Sequence, residues 1–373
     1  MSAVRADLPE TLTDVLPGNE QVENHGATLV VRFTESRKVL STSWLNGGYR
    51  SDLHAVFNHQ IPVEACESCH NGGSVREYLE GVARGLGFDP GTVTGLVTRA
   101  EMRNAAVITE QFQDLVVTAI VTAGIDKNGG RAGDPASYYE DGDSLEPIGG
   151  TINTILVIGA DLPEHAMARA LMTAAEAKAA ALQQLMARSL YSCGIATGSG
   201  TDMIAIVADP DSRLRLTDAG KHAKLGELIG RTVIQATTKA LEMETGLSAE
   251  SQRDVLVRLY RFGVTEESLW TAFSLSPGKQ SDGEDRERFL RTLRSRATDP
   301  VFLARVTALL HIVDEETWGL IPRKDACRAI RSFSGSVNVP ECPGNYSDED
   351  PLTLVCHMVA GEVKQIAGNP PVC

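Results

Sequence analysis

The sequence predicts an α/β fold: a mixed sheet core with packed long helices, plus a mainly helical C-terminal extension. Three observations predict it. β-branched apolar runs at residues 114–124, 151–159 and 203–208 have the length and composition of buried strands. Long helical patterns at about 161–188 and 221–245 follow the second and third of these runs, so strand and helix alternate. From Leu247 the pattern is mainly helical as far as Pro340 and Pro343. A chain of 373 residues, 42% hydrophobic and 23% charged, is long enough for about two or three cores.

Three regions are expected. Residues 1–27 are polar and proline-punctuated, which reads as a loosely docked arm. Residues 28–246 form the main domain and 247–373 the helical extension, with no internal repeat. In the main domain, 28–33 and 38–42 read as two strands of a hairpin with a short polar turn. Asn46-Gly47-Gly48-Tyr49 is a backbone-permissive turn. A helix is expected over 75–87, closing at Gly87. The strand at 114–124 empties into a loop, 126–150, rich in Gly, Asp and Pro. An irregular segment of that length between strong strands is usually functional. After the strand at 151–159, Asp161-Leu162-Pro163-Glu164 reads as a capping box that opens a helix.

Composition excludes some functions. A formal net charge of −14 argues against nucleic acid, whose phosphates call for clustered Lys and Arg, and favours a neutral or cationic small ligand. No apolar run reaches the roughly 18 residues of a spanning helix, and the N-terminal stretch lacks a signal-peptide core, so no membrane partner and a cytoplasmic location are expected. Seven scattered cysteines do not resemble a disulfide framework.

The densest chemistry lies in Thr197-Gly198-Ser199-Gly200-Thr201-Asp202, just before the strand at 203–208. Six residues there combine hydroxyls, a carboxylate and permissive backbone, enough for a nucleophile, a general base or N–H donors to an oxyanion, and equally for a tight turn. It is neither a P-loop nor a dinucleotide fingerprint. Projecting the 161–188 helix at about 100° per residue puts Lys178 within a stripe formed by Met167, Leu171, Ala174, Ala175, Leu182 and Leu185. Such a lysine either snorkels to water or has a partner and a function. Glu176 falls on the opposite face. On the 221–245 helix, His222 falls at the N-terminal end of the stripe, as a core or capping histidine or as a base kept neutral by the helix dipole.

Cys66-Glu67-Ser68-Cys69-His70 matches the C-x-x-C-H haem-attachment pattern. Covalent attachment takes place outside the cytoplasm, so plain thiols are the favoured reading and Cys66, Cys69 and His70 are weak metal candidates. Cys327, Cys342, Cys356, His357 and Cys373 lack the short paired spacing of a zinc site. The acidic run 347–350 reads as solvated surface.

Four ordered motifs, Gly150-Thr151-Ile152-Asn153, the alanine-rich 173–183 segment, 196–202 and 221–230, together resemble the adenosylcobinamide amidohydrolase (CbiZ) family over about residues 28–245. The 131–134 segment fits as well. The resemblance implies hydrolysis of the amide joining aminopropanol to the corrin ring, giving adenosylcobyric acid in corrinoid salvage. It implies catalytic roles for His222, Asp202, Thr201, Lys178 and Glu176. Asn46, Gly47, Asp134, Asn153, Thr197, Gly198, Ser199, Gly200 and Lys224 are the implied substrate contacts. The corrinoid would be substrate rather than cofactor, with no cofactor required; a homo-oligomer is compatible with the exposed Glu176 face. His54 and His59 are the histidines that could reach cobalt. The alternative is a corrinoid- or tetrapyrrole-binding protein without hydrolysis, using the C-x-x-C-H segment.

Overall fold

The computed structural model describes residues 11–12, 16–65, 74–136, 151–274, 283–333 and 350–368. They form two compact units, residues 1–248 and 249–373.

The first unit is built on a nine-stranded mixed sheet. Its strands are β1 (Thr11–Leu12), β2 (Gln21–Asn24), β3 (Thr28–Ser41), β4 (Gly48–Gln60), β5 (Val93–Thr98), β6 (Ala106–Phe112), β7 (Leu115–Ala123), β9 (Ile152–Ile158) and β11 (Met203–Ala208). A separate two-stranded ribbon pairs β8 (Gly129–Gly130) with β10 (Gly198–Ser199). The helices are α1 (Val75–Gly85), α2 (Glu164–Gln184) and α3 (Lys224–Thr245).

β9 and β11 are parallel, Asn153 beside Met203, and α2 is the crossover between them. β7 runs antiparallel to β9, and β3 antiparallel to β11. Alternation along β9 and β11 sorts their side chains. Ile152, Leu156, Ile158, Ile204 and Ile206 join α2 and α3 in one core. Ile155, Val157, Met203, Ala205 and Val207 face a second core with Leu29, Val31, Leu53, Val56 and Leu96 from β3, β4 and β5. The β3–β4–β5 part therefore packs over the other strands, and α1 covers its outer face through Leu79 and Ala83 against Ala55, Phe57 and Val93. Every strand of the β9–β11 centre is thus buried on both sides, which is why those strands are continuous apolar runs.

Several expectations change. The two short strands at 28–33 and 38–42 are one 14-residue strand, whose polar middle is a pair of register shifts around Arg37 rather than a turn. Arg37 is buried there against Glu20 at 2.9 Å and Asp209 at 3.4 Å. Part of the supposed arm is β2, paired to β3. The capping box does not form. Pro163 holds the N-cap position with no side-chain cap, and Asp161 pairs with Lys38 at 2.5 Å. α3 starts at Lys224, so His222 precedes it.

His59 on β4 is engaged at both nitrogens, Nδ1 with Thr28 Oγ1 at 2.7 Å and Nε2 with the Tyr78 hydroxyl at 2.9 Å. Burial pushes its pKa down to about 4.

The second unit is helical: α4 (Val255–Tyr260), α5 (Glu266–Ser274), α6 (Gly283–Arg296), α7 (Pro300–Thr317), α8 (Arg323–Ser332) and α9 (Pro351–Gly368). Leu259, Phe289, Phe302, Leu309, Val355 and Val359 are in its core. Arg261 donates two bonds to Asp314, at 2.9 and 2.6 Å, and both side chains are nearly buried. Cys327 is buried, and burial pushes the Cys356 thiol up to about 12. Among the described residues no helix is long and apolar enough to cross a membrane.

Two stability predictions follow from these buried groups. Below about pH 6.5 the unfolded chain protonates a histidine that the folded chain keeps neutral down to about pH 4. Stability is therefore lost as pH falls through that window, and the urea midpoints of wild type and His59→Gln should converge between pH 7 and pH 4.5. Asp314→Ala removes both carboxylate bonds from the buried Arg261 guanidinium and should cost about 3–5 kcal/mol, read as an earlier denaturant transition of the helical signal.

Candidate active site

β7 runs antiparallel to β9, and β9 parallel to β11, so the carboxyl end of β7 and the amino ends of β9 and β11 lie together. Thr151, residues 124–136 and the 196–202 loop carry the polar residues described at this end, while residues 137–150 of the expected 126–150 loop lie outside the described residues. α2 returns from the far end of β9, and its Lys178 reaches the same place.

There the Lys178 ammonium is ion-paired with Asp202, with side-chain exposures of 12% and 9%. The lysine in the apolar stripe does not snorkel; it ends on a carboxylate. Asp202 Oδ1 also accepts from the Ile152 N–H at 2.8 Å and the Ser199 hydroxyl at 2.6 Å, and Oδ2 accepts from the Ser199 N–H at 2.9 Å. A carboxylate has about four lone-pair sites. With the Lys178 bond counted, four donors meet them, so Asp202 anchors both the lysine and the loop. Gly198 makes the approach possible, because a Cβ there would lie 2.7 Å from Lys178 Nζ and nearer still to Asp202 Oδ2.

Hydroxyls surround the pair. Thr151 and Thr201 hydrogen-bond through their Oγ1 atoms at 2.7 Å. The Thr197 N–H donates to Gly130 O at 2.9 Å and its Oγ1 accepts from the Ala132 N–H at 2.9 Å, which locks the 196–202 loop to the β8 ribbon. Asp134 closes the adjoining turn, accepting from the Arg131 N–H at 2.8 Å and the Ser189 hydroxyl at 2.5 Å. Burial pushes the Asp134 pKa up, but the bonds from Ser189, Ser192 and the Arg131 backbone outweigh it and hold the group below the usual carboxylate range. Gly200 is exposed at the loop tip.

Asn153 lies one layer below and is fully buried. Its Nδ2 donates to Asn58 Oδ1 at 2.8 Å and Val97 O at 3.0 Å, while its Oδ1 accepts from the Met203 N–H at 3.2 Å. Expected as a substrate contact, Asn153 uses its amide in this structure to tie β9 to β4, β5 and β11. Asn46 is half-buried and Gly47 exposed, and both also shape the turn. Asn46 has φ 50° and donates to Pro90 O at 2.6 Å and Val93 O at 2.7 Å. At Gly47 a Cβ would collide with Ser43 O.

The other expected residues gather elsewhere. Glu176, two positions from Lys178, points away from Asp202 and pairs with Lys221 at 2.6 Å. On that face Glu176 meets the turn before α3 of the same chain and stays half exposed. His222 is exposed in the same turn, not on the α3 stripe, and with Arg169, Met172, Glu176, Asp218 and Lys221 it lines a groove of about 510 Å³. Lys224 is paired with Glu227 and sits 4.7 Å over the Phe112 ring. His54 is exposed on β4. Cys66, Cys69 and His70 lie outside the described residues; among the described residues no group of His, Cys, Asp and Glu is arranged to hold a metal.

Sequence reasoning passed over Thr151 as a partner of Thr201, and Arg169, Asp218 and Lys221 as groove residues. Thr151 and Lys221 stand inside the family-like motifs, which was the available signal. Nothing local marks Arg169 and Asp218, because 49 residues separate two side chains that meet at 3.0 Å.

An α/β unit in which a crossover-helix lysine meets a loop carboxylate among hydroxyls has the groups that act on a polar bond. Residues 13–249 match the model of the CbiZ family, adenosylcobinamide amidohydrolase, and the chain belongs to that family. A Methanosarcina mazei protein named adenosylcobinamide amidohydrolase is 28% identical over 207 residues, 53% of this chain and 88% of its own length. An uncharacterized protein of Methanocaldococcus jannaschii is 37% identical over 227 residues, 57% of this chain and 85% of its own. Among solved structures, the PH0078 protein from Pyrococcus horikoshii OT3 aligns at a TM-score of 0.29 and 12% identity, over 62% of this chain and 83% of that one.

Gly198→Ala should separate Lys178 from Asp202 with no charge changed. The expected outcome is a thermal midpoint lowered by several degrees, together with loss of protection of the Ile152 and Ser199 amides in hydrogen exchange; protection as in wild type would count against this account of the loop.

Proposed function

We propose that the protein hydrolyses the amide linking aminopropanol to the propionyl side chain of adenosylcobinamide or a related corrinoid, giving adenosylcobyric acid for salvage or remodelling. The observation that carries this reading is the Lys178–Asp202 pair, set by Gly198 among the hydroxyls of Ser199, Thr201 and Thr151. Membership of the family and the name of the M. mazei relative support the substrate.

Amide cleavage requires a nucleophile, charge stabilisation at the carbonyl oxygen and a proton for the leaving amine. In this scheme Thr201, braced by Thr151, orients the attacking water, and Asp202 takes the proton that the water sheds as its oxygen adds to the carbonyl carbon. Lys178 faces the carbonyl oxygen and delivers a proton to the departing amine, and the 198–201 backbone adds N–H donors. Asp202 also holds the ammonium and the loop in one geometry before substrate arrives, and it passes the water's proton to Lys178 after Lys178 has protonated the amine and the C–N bond has broken. His222 sits in the groove with Glu176, so we assign it to substrate contact there. The corrinoid is substrate and its cobalt is cargo of the reaction.

The test is incubation with adenosylcobinamide and mass-spectrometric detection of adenosylcobyric acid and aminopropanol. Lys178→Met and Asp202→Asn should each lower kcat by about 100-fold or more, the size of a lost electrostatic contact to the transition state. Full activity in Lys178→Met would remove the ion pair from the mechanism, and bound but uncleaved corrinoid with wild type would make the protein a corrinoid binder.

A further inference from the structure

The groove beside α2 is a separate construction from the Lys178–Asp202 centre. Along its walls, Arg169 pairs with Asp218 at 3.0 Å and Lys221 with Glu176 at 2.6 Å, while the exposed Met172 side chain and His222 lie between. The wall opposite the helix is held in place. Thr173 Oγ1 donates to Ala219 O at 2.8 Å, and Gly226 lets the turn press on α3, since a Cβ there would strike the backbone of Gly220 and Ala219. Gly220 leaves room for the Arg169 guanidinium, which a Cβ would meet at 2.8 Å.

The charges decide what such a groove accepts. Two cations and two carboxylates alternate and cancel in pairs, so the groove offers no net field to an anion such as a phosphate or carboxylate. It does offer strong donors next to strong acceptors. A primary carboxamide has the matching pair, an NH₂ that donates and a carbonyl that accepts. All four charged side chains are about half exposed or more, so their ion pairs are individually weak and open readily for a ligand that replaces both halves.

We propose that this groove binds the neutral carboxamide-bearing rim of the corrin ring, with Arg169 and Lys221 donating to amide carbonyls and Glu176 and Asp218 accepting from amide NH₂ groups. Met172 gives the apolar contact between them. This deepens the hydrolase reading and rests on a corrinoid being the substrate. It also makes the groove a selectivity device, because a rim carboxylate in place of an amide can still accept from Arg169 and Lys221 but has no NH₂ to give Glu176 and Asp218, whose carboxylates are then left facing a like charge.

The experiment measures steady-state kinetics with adenosylcobinamide, and equilibrium dialysis with the same compound and with a corrinoid carrying rim carboxylates, for wild type, Glu176→Gln, Asp218→Asn and the double variant. The expected result is a KM for adenosylcobinamide raised about tenfold in the double variant with kcat within twofold of wild type. The carboxylate corrinoid should bind the double variant at least tenfold more tightly than it binds wild type. Normal turnover, with KM and the carboxylate affinity both unmoved, overturns the groove assignment and leaves hydrolysis standing. Binding that follows the predicted pattern without turnover by wild type overturns hydrolysis and leaves the groove assignment. No binding of either corrinoid to wild type overturns both. Circular dichroism of each variant checks the fold, and the gain in carboxylate affinity is a readout that misfolding does not produce.

Discussion

One carboxylate closes the centre of this protein. Asp202 accepts from the Ile152 N–H at the start of β9, from Ser199 just before β11 and from Lys178 on the helix that joins the two strands. A β-α-β crossover brings those three places close in any case, because the helix must return to the end where it began. Asp202 turns that rough proximity into a defined geometry, and the cost of burying two charges sets the terms. Neither Lys178 nor Asp202 tolerates its position without the other, so the pair, the Gly198 gap and the 196–202 loop stand or fall together.

Burial on both faces does the rest of the positioning. α2 and α3 cover one side of β9 and β11, and the β3–β4–β5 layer covers the other. A sheet enclosed in this way cannot slide in register without exposing apolar side chains. The buried Asn153–Asn58–Thr122 chain adds directional bonds across the layers, with Asn58 donating to Thr122 at 2.8 Å. Thr151 and the 196–202 loop therefore rest on a rigid base, which suits a site whose hydroxyls must be placed to within a fraction of an ångström.

α2 separates two kinds of chemistry. On one side Lys178 is nearly buried and committed to one carboxylate; on the other, Glu176 and Arg169 are exposed and paired to a turn. Spacing of two residues along a helix gives this division, since about 200° of rotation separates them. A buried charge pair suits a step in which charge develops in a dry place, while an exposed and balanced set suits recognition of a large polar ligand.

How much was legible follows from the range of each interaction. Continuous apolar runs declare a doubly covered strand locally, so β7, β9 and β11 were readable within a residue or two; the two long helices and the helical C-terminal part were readable as elements, with helix ends off by three or four residues. The 196–202 loop was readable because its chemistry is packed into consecutive residues, and the opposition of Glu176 and Lys178 because helical geometry is periodic. Pairing across the chain was not readable. The polar middle of β3 looks like a turn until Glu20 and Asp209 are seen to neutralise Arg37 inside the sheet. Asp161 looks like a helix cap until Lys38 claims it. Asn153 looks available to a ligand until Asn58 and Val97 use its amide. Sequence by itself determined the α/β class, the family and the polar loop, because propensity, periodicity and motif are local properties. Tertiary structure alone decided that Lys178 meets Asp202 while His222 joins Glu176 in a separate groove, because the partner of a charged side chain is set by where the folded chain places its neighbours.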